Sequence, residues 1–303
     1  MTKRLLRLLL DRNFLLLSAV VLGLLLGDAA SATQSLIMPA LMLAMTVSVV
    51  QVSLRTFSSG RMVLRAVLFS LLLNYVLLGS LTLLLARWLL PDPELWPGFV
   101  LSAAVPCGIG VVPFSYVLHG DPTSALIGLF GSYVASLAVT PWMVLRLLGT
   151  GHVDAAELVR ILVRLVILPL LLSRLLTSDR WQPALKRWRG PVVNWSFALV
   201  MFTIIGSSRD LMLSDPRLLL LCAVIAFACN IGLAIVLDWG LRHLGLQRAE
   251  RVTWVLMGTI KNTSLAAAVT LALFGSTAAM PTAVFSGANV LYMVWLGARW
   301  GNP

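Results

Sequence analysis

The chain has 303 residues, of which 59% are hydrophobic and only 12% are Asp, Glu, Lys or Arg, and its formal net charge is +11. That charged share is about half of what a soluble domain carries, so lipid rather than water must cover the surface, and a water-soluble helical fold is excluded. The mean hydropathy of +0.93 agrees. In a soluble protein the positive charge would point to nucleic acid, but here the basic residues sit in short loops between apolar segments. There they act as topology signals, and no nucleic-acid partner is expected.

Apolar segments are predicted at 13–29, 35–53, 63–86, 97–118, 122–146, 157–176, 191–207, 217–240, 252–274 and 280–299. The first follows Lys3, Arg4 and Arg7 and ends near Asp28-Ala-Ala-Ser-Ala, a pattern shared with signal peptides. Asp11 and Arg12 directly precede its apolar run, and its loss would break the topology, so it is read as a retained helix. The sharpest interruptions are Pro91-Asp-Pro-Glu, Gly149-Thr-Gly, Ser178 to Gly190 and Ser207 to Pro216. Ten spans place both termini on one side. Sixteen of the 23 basic residues fall on that side and five on the other, while Arg164 and Lys261 lie inside spans. The asymmetry predicts a multi-pass protein of the bacterial inner membrane with both termini cytoplasmic.

The stretch Trp181-Gln-Pro-Ala-Leu-Lys-Arg-Trp-Arg189 reads as a short interfacial helix, with tryptophans at headgroup depth and basic residues meeting anionic lipid. It makes 178–190 a basic linker between residues 1–177 and 191–303. Counting helices gives two five-helix repeats, about 1–148 and 155–303, in one membrane domain. An odd number per half inverts the second half, the plan of many secondary transporters. The predicted fold is therefore an all-α polytopic membrane protein of about ten helices in two inverted repeats.

In such a plan the site is marked by broken helices at matching places. The fourth span contains Val105-Pro-Cys-Gly-Ile-Gly-Val-Val-Pro113. Its prolines remove backbone donors and its glycines weaken the helix, so the freed polar groups need partners inside protein or beside a polar cavity. The ninth span contains Met257-Gly-Thr-Ile-Lys-Asn-Thr-Ser-Leu265, with a lysine near its middle. A charge at that depth marks a functional site by default. Lys261, Asn262, Thr263 and Ser264, together with Cys107, Gly108, Gly110 and Pro113, are the candidate substrate or ion site. Asn74, Ser132 and Ser136 are polar residues at membrane depth that would border it, although such residues also serve as helix–helix glue. Cys107, Cys222 and Cys229 lie in apolar stretches, so neither a disulfide framework nor a zinc site is expected.

With Pro106-Cys-Gly, Tyr116-Val-Leu-His-Gly-Asp121, Thr140-Pro141, Leu147-Leu-Gly149 and Asn262-Thr-Ser-Leu-Ala-Ala267, the chain resembles the bile acid/sodium symporter superfamily. The likeness extends over most of the chain, including Leu36 to Phe57. It implies a panel of helices one, two, six and seven, and a core of the rest in which helices four and nine are unwound where they cross. It also implies an organic anion as cargo, usually driven by sodium. The sequence departs from the family pattern at the sodium positions. The family's Ser-Asn pair falls on Val111 and Val112, and its Glu and Gln fall on Met257 and Lys261, while Asn74 occupies a place where Gln is common. Valine and methionine offer sodium no side-chain oxygen, and an ammonium repels it. The expectation is transport of a small organic anion by alternating access, with Lys261 in the structural role of the ion. A proton, or no ion, is favoured over sodium for coupling. No cofactor and no obligate protein partner are expected, only the solute and membrane lipid.

Three other readings stand beside this one. The chain would be a conventional sodium-coupled organic anion symporter if the site positions were misassigned. Arsenite carriers of the same superfamily have a cysteine at the place of Cys107, and a thiolate suits a thiophilic solute. An intramembrane enzyme would need a nucleophile–base set or metal ligands, but His119, His152 and His243 lie near span ends, with no Ser–His or paired-carboxylate arrangement and no nucleotide-binding loop.

Overall fold

The computed structural model describes residues 11–50, 60–149, 154–178 and 180–301. Lys3, Arg4, Arg7 and His152, all named in the sequence analysis, lie outside the described residues. The described residues are mostly helical, with no strand and a single isolated β-bridge among them.

In chain order the main helices, leaving aside short turns of helix at Gly27–Ser31, Gln34–Leu36 and Arg209–Ser214, are α1 (Arg12–Leu25), α2 (Ile37–Val49), α3 (Gly60–Leu89), α4a (Trp96–Ala104), α4b (Val111–Val117) and α5 (Pro122–Leu148). They continue with α6 (155–175), α7 (Gln182–Ser207), α8 (Pro216–His243), α9a (Arg248–Thr259), α9b (263–274) and α10 (276–300). Among the described residues, five stretches are long and apolar enough to cross a bilayer: Gly60–Leu89, Pro122–Leu148, Arg187–Ser207, Pro216–His243 and Thr263–Trp300.

Short polar residues set the helix starts. Asp11, Asp121, Asp154 and Asp215 each accept hydrogen bonds from backbone N–H groups in the first turn of α1, α5, α6 and α8. Each such cap contributes about 1 kcal/mol by giving a partner to an otherwise open donor. Pro122, Pro183 and Pro216 sit in the first turn of their helices, where a missing N–H costs nothing. Helix boundaries thus absorb many of the chain's few carboxylates.

Two boundaries differ from the sequence expectation. The basic stretch 178–190 is helical from Gln182 and runs on without a break through Pro191 into α7. Pro183 starts this helix early, so the basic residues become its first turns. Between α9b and α10 the chain does not form a loop. It kinks at Gly275, whose φ of 83° is open to glycine, and resumes as helix at once.

Packing divides the helices into two groups. α7 lies against α1 and α2, and α6 lies against α2. α3 packs on α5 and α9a, α8 on α9a, and α4a on α5 and on the chain that carries α9b and α10. Leu72–Gly79 in α3 and Ala228–Gly232 in α8 widen to π-helical geometry. These wide turns present Asn74 and Asn230, each buried, to the interior.

Candidate functional site

The two broken segments meet. The extended residues 105–108 between α4a and α4b run antiparallel to 260–262 between α9a and α9b, with Cys107 paired to Lys261. The Gly108 N–H donates to the Ile260 carbonyl at 2.9 Å, and the Asn262 N–H donates to the Pro106 carbonyl at 2.9 Å. Gly108 is required here, because a Cβ would lie 2.8 Å from both Ile260 Cγ2 and the Lys261 carbonyl oxygen. Prolines and glycines that cannot sustain a helix are thus used to let two chains cross at backbone distance.

Breaking α4 frees carbonyls that hydrocarbon cannot satisfy, and four of them have donors across the fold. The Ala104 carbonyl accepts from the Thr140 hydroxyl at 2.7 Å, and Pro106 is taken by the Asn262 N–H. The Ala103 and Val105 carbonyls accept from Lys261 Nζ at 2.6 and 3.0 Å. The third ammonium proton goes to Asn74 Oδ1 at 2.8 Å. Three donors therefore meet three oxygens, and the Nζ lies 4.7 Å from the Tyr75 ring centroid. The C-terminal end of α4a bears partial negative charge, so the site suits a cation electrostatically. Lys261 is only 5% exposed and forms no salt bridge among the described residues.

Asn262 caps α9b by accepting from the Leu265 N–H at 3.1 Å, and its amide donates to the Tyr133 hydroxyl at 2.6 Å. A chain of amides fixes the next residue: Asn230 donates to Asn289 Oδ1 at 2.9 Å, and Asn289 donates to the Thr263 hydroxyl at 3.3 Å. On the far side, Asn74 Nδ2 donates to the Met257 carbonyl at 3.4 Å.

The predicted residues separate by position. Lys261, Asn262, Asn74, Cys107 and Gly108 gather at the crossing. Thr263, Ser264 and Gly110 border a small pit of about 60 Å³, which Gly108, Lys261 and Asn262 also line and which takes in Arg12, Ser286 and Asn289. Pro113 lines a larger cavity of about 670 Å³ that shares Arg12, Ile109, Gly110 and Phe197 with the pit and reaches Arg189 and Asn194. Ser132 and Ser136 line neither, and their hydroxyls bond back to the Leu129 and Tyr133 carbonyls of their own helix. The Cys107 thiol is fully buried. It contacts Ser70 Oγ at 3.5 Å and the Met257 carbonyl at 3.6 Å, and borders neither cavity. A separate pocket of about 430 Å³ at Arg61, Arg65 and Glu250 shares no residue with these, and Arg65 pairs there with Glu250 at 3.0 Å.

Sequence reading missed Arg12, Arg189, Ser286 and Asn289. Both arginines had been counted as topology signals, and nothing in their spacing sets them apart from the other basic residues near span ends.

No curated protein is similar enough to the chain to be counted a relative. The model of the SBF-like CPA transporter family matches residues 12–300, from the start of α1 to the end of α10. A multi-pass membrane transporter accounts for the apolar helices, the paired breaks and the cavity beside them. The chain belongs to the SBF-like CPA transporter family.

Proposed function

We propose that this protein is a secondary transporter that carries a small organic anion across the bacterial inner membrane by alternating access, without sodium. One observation carries the reading. At the crossing, where a transported or coupling cation would need oxygen ligands, the ammonium of Lys261 already holds Asn74 Oδ1 and the Ala103 and Val105 carbonyls. Sodium would have to displace a tethered charge that completes its own hydrogen bonding. The neighbouring family positions offer Val111, Val112 and Met257, which supply no side-chain oxygen.

The remainder of the reading follows from arrangement. α1 to α5 and α6 to α10 are two five-helix halves, each broken at its fourth helix, as inverted repeats require. The group α1, α2, α6 and α7 would move as a panel against the others, exposing the cavity to one side at a time. The excess of basic residues puts both termini in the cytoplasm. Coupling is to a proton, or the carrier runs as a uniporter or exchanger.

The test is uptake into proteoliposomes of a panel of labelled aliphatic and aromatic carboxylates. External sodium, choline and an imposed proton gradient are compared. Uptake of at least one carboxylate at equal rates in sodium and choline is expected. Uptake that needs a sodium gradient would overturn the sodium-independent reading.

A further inference from the structure

Arg12 starts α1, yet its guanidinium lies over the Phe114 ring of α4b, 5.1 Å from the centroid, and borders both the pit and the 670 Å³ cavity. None of the residues that line these two spaces is acidic. Among the described residues Arg12 forms no salt bridge. The two carboxylates closest in sequence to these walls are engaged elsewhere: Asp11 holds the Phe14 N–H, and Asp121 holds those of Thr123 and Ser124. A guanidinium that needed only to reach the headgroup region would have no cause to turn onto an aromatic ring beside a cavity. The Phe114 ring lies under the guanidinium, and the fork of N–H donors that a guanidinium carries is suited to bidentate capture of a carboxylate.

The surroundings describe the remainder of the ligand. Beside Arg12 the pit is bordered by Ser286, whose hydroxyl donates to the Thr282 carbonyl, and by Asn289, held between Asn230 and Thr263, while the larger cavity is walled mostly by apolar side chains such as Val112 and Leu126. Arg189 adds a second positive charge to the larger cavity. Its volume is that of an ordinary small-molecule site.

We propose that Arg12 is the residue that selects the cargo, gripping the anionic head of an amphipathic carboxylate or sulfonate whose apolar body fills the larger cavity. The inference rests on the transporter reading only in treating the bound molecule as cargo, since the binding step stands separately. Lys261 takes no part in gripping the anion, because its donors are already engaged on the α4a carbonyls.

The experiment is equilibrium dialysis of the purified full chain with labelled 1-naphthoate and with the neutral 1-naphthylmethanol. Saturable binding of naphthoate, with the alcohol about tenfold or more weaker, is expected from loss of a charge-assisted contact. Arg12→Gln should weaken naphthoate by about tenfold or more and leave the alcohol unchanged, and Arg12→Lys should restore part of the affinity. Ser286→Asp keeps Arg12 but places a carboxylate in the pit, and should also abolish naphthoate binding. Absence of saturable naphthoate binding, equal affinity for both probes, or unaltered binding in Arg12→Gln or Ser286→Asp would overturn the proposal. Proteoliposome flux separates the two readings. Arg12-dependent binding without flux would uphold the site and remove the transporter. Flux of naphthoate that Arg12→Gln does not alter would uphold the transporter and remove the role of Arg12.

Discussion

Lys261 and Arg12 are two cations near the same crossing with opposite surroundings. Lys261 has three N–H donors and three oxygen partners at 2.6 to 3.0 Å, deep between α3 and α4a. Arg12 has an aromatic face beneath it, a cavity beside it and no carboxylate partner among the described residues. A charge whose donors are all used holds structure, whereas one whose donors face open space is available to a ligand. The difference lies in the neighbours, because both are basic residues in an apolar chain.

The comparison is broken most severely at Lys261. Lys261→Ala leaves two buried carbonyls and Asn74 Oδ1 without their donor, so a stability loss of about 3 kcal/mol or more is expected by chemical unfolding in detergent. A loss below ~1 kcal/mol would mean that the ammonium does not hold α4a. Gly108→Ala comes next. Its Cβ must push apart the crossing strands at Ile260 and Lys261, at a cost of about 2 kcal/mol. Asn74→Ala removes one oxygen and leaves the lysine two carbonyls, so a loss of about 1.5 kcal/mol is expected. Arg12→Gln should change stability by no more than about 0.5 kcal/mol, because no buried partner loses its bond. The smallest effect belongs to Ser136→Ala. That hydroxyl bonds only the preceding turn of α5, so stability should stay within about 0.5 kcal/mol of the parent and transport should be unchanged.

Much of this arrangement is legible in the sequence, for reasons that particular residues show. Pro106, Gly108, Gly110 and Pro113 cannot be accommodated in an ordinary helix, and Lys261 cannot be left unpaired at membrane depth, so the two breaks announce themselves. The helices are also visible, because hydrocarbon requires long apolar runs. What stays hidden depends on distances between segments far apart in sequence. Nothing before the fold says that Lys261 reaches the Ala103 carbonyl rather than a solute, or that Ser132 and Ser136 turn back onto their own helix. Arg12 is indistinguishable from a topology signal until Phe114 is seen beneath it. The start of α7 was misplaced because Gly190-Pro191 reads as a boundary, whereas the helix passes through it.

Whether the lysine ammonium stands in for a coupling ion is decided by thermal unfolding of the purified protein in sodium chloride and in choline chloride at equal ionic strength. The parent is compared with the double variant Met257→Glu/Lys261→Gln. An ion that binds only the folded state stabilises it by about 2.7 kcal/mol at a hundred times its dissociation constant. The account predicts superimposable curves for the parent and a sodium-specific rise in the variant, where a carboxylate and an amide oxygen replace the thioether and the ammonium. A sodium-specific rise in the parent would contradict it.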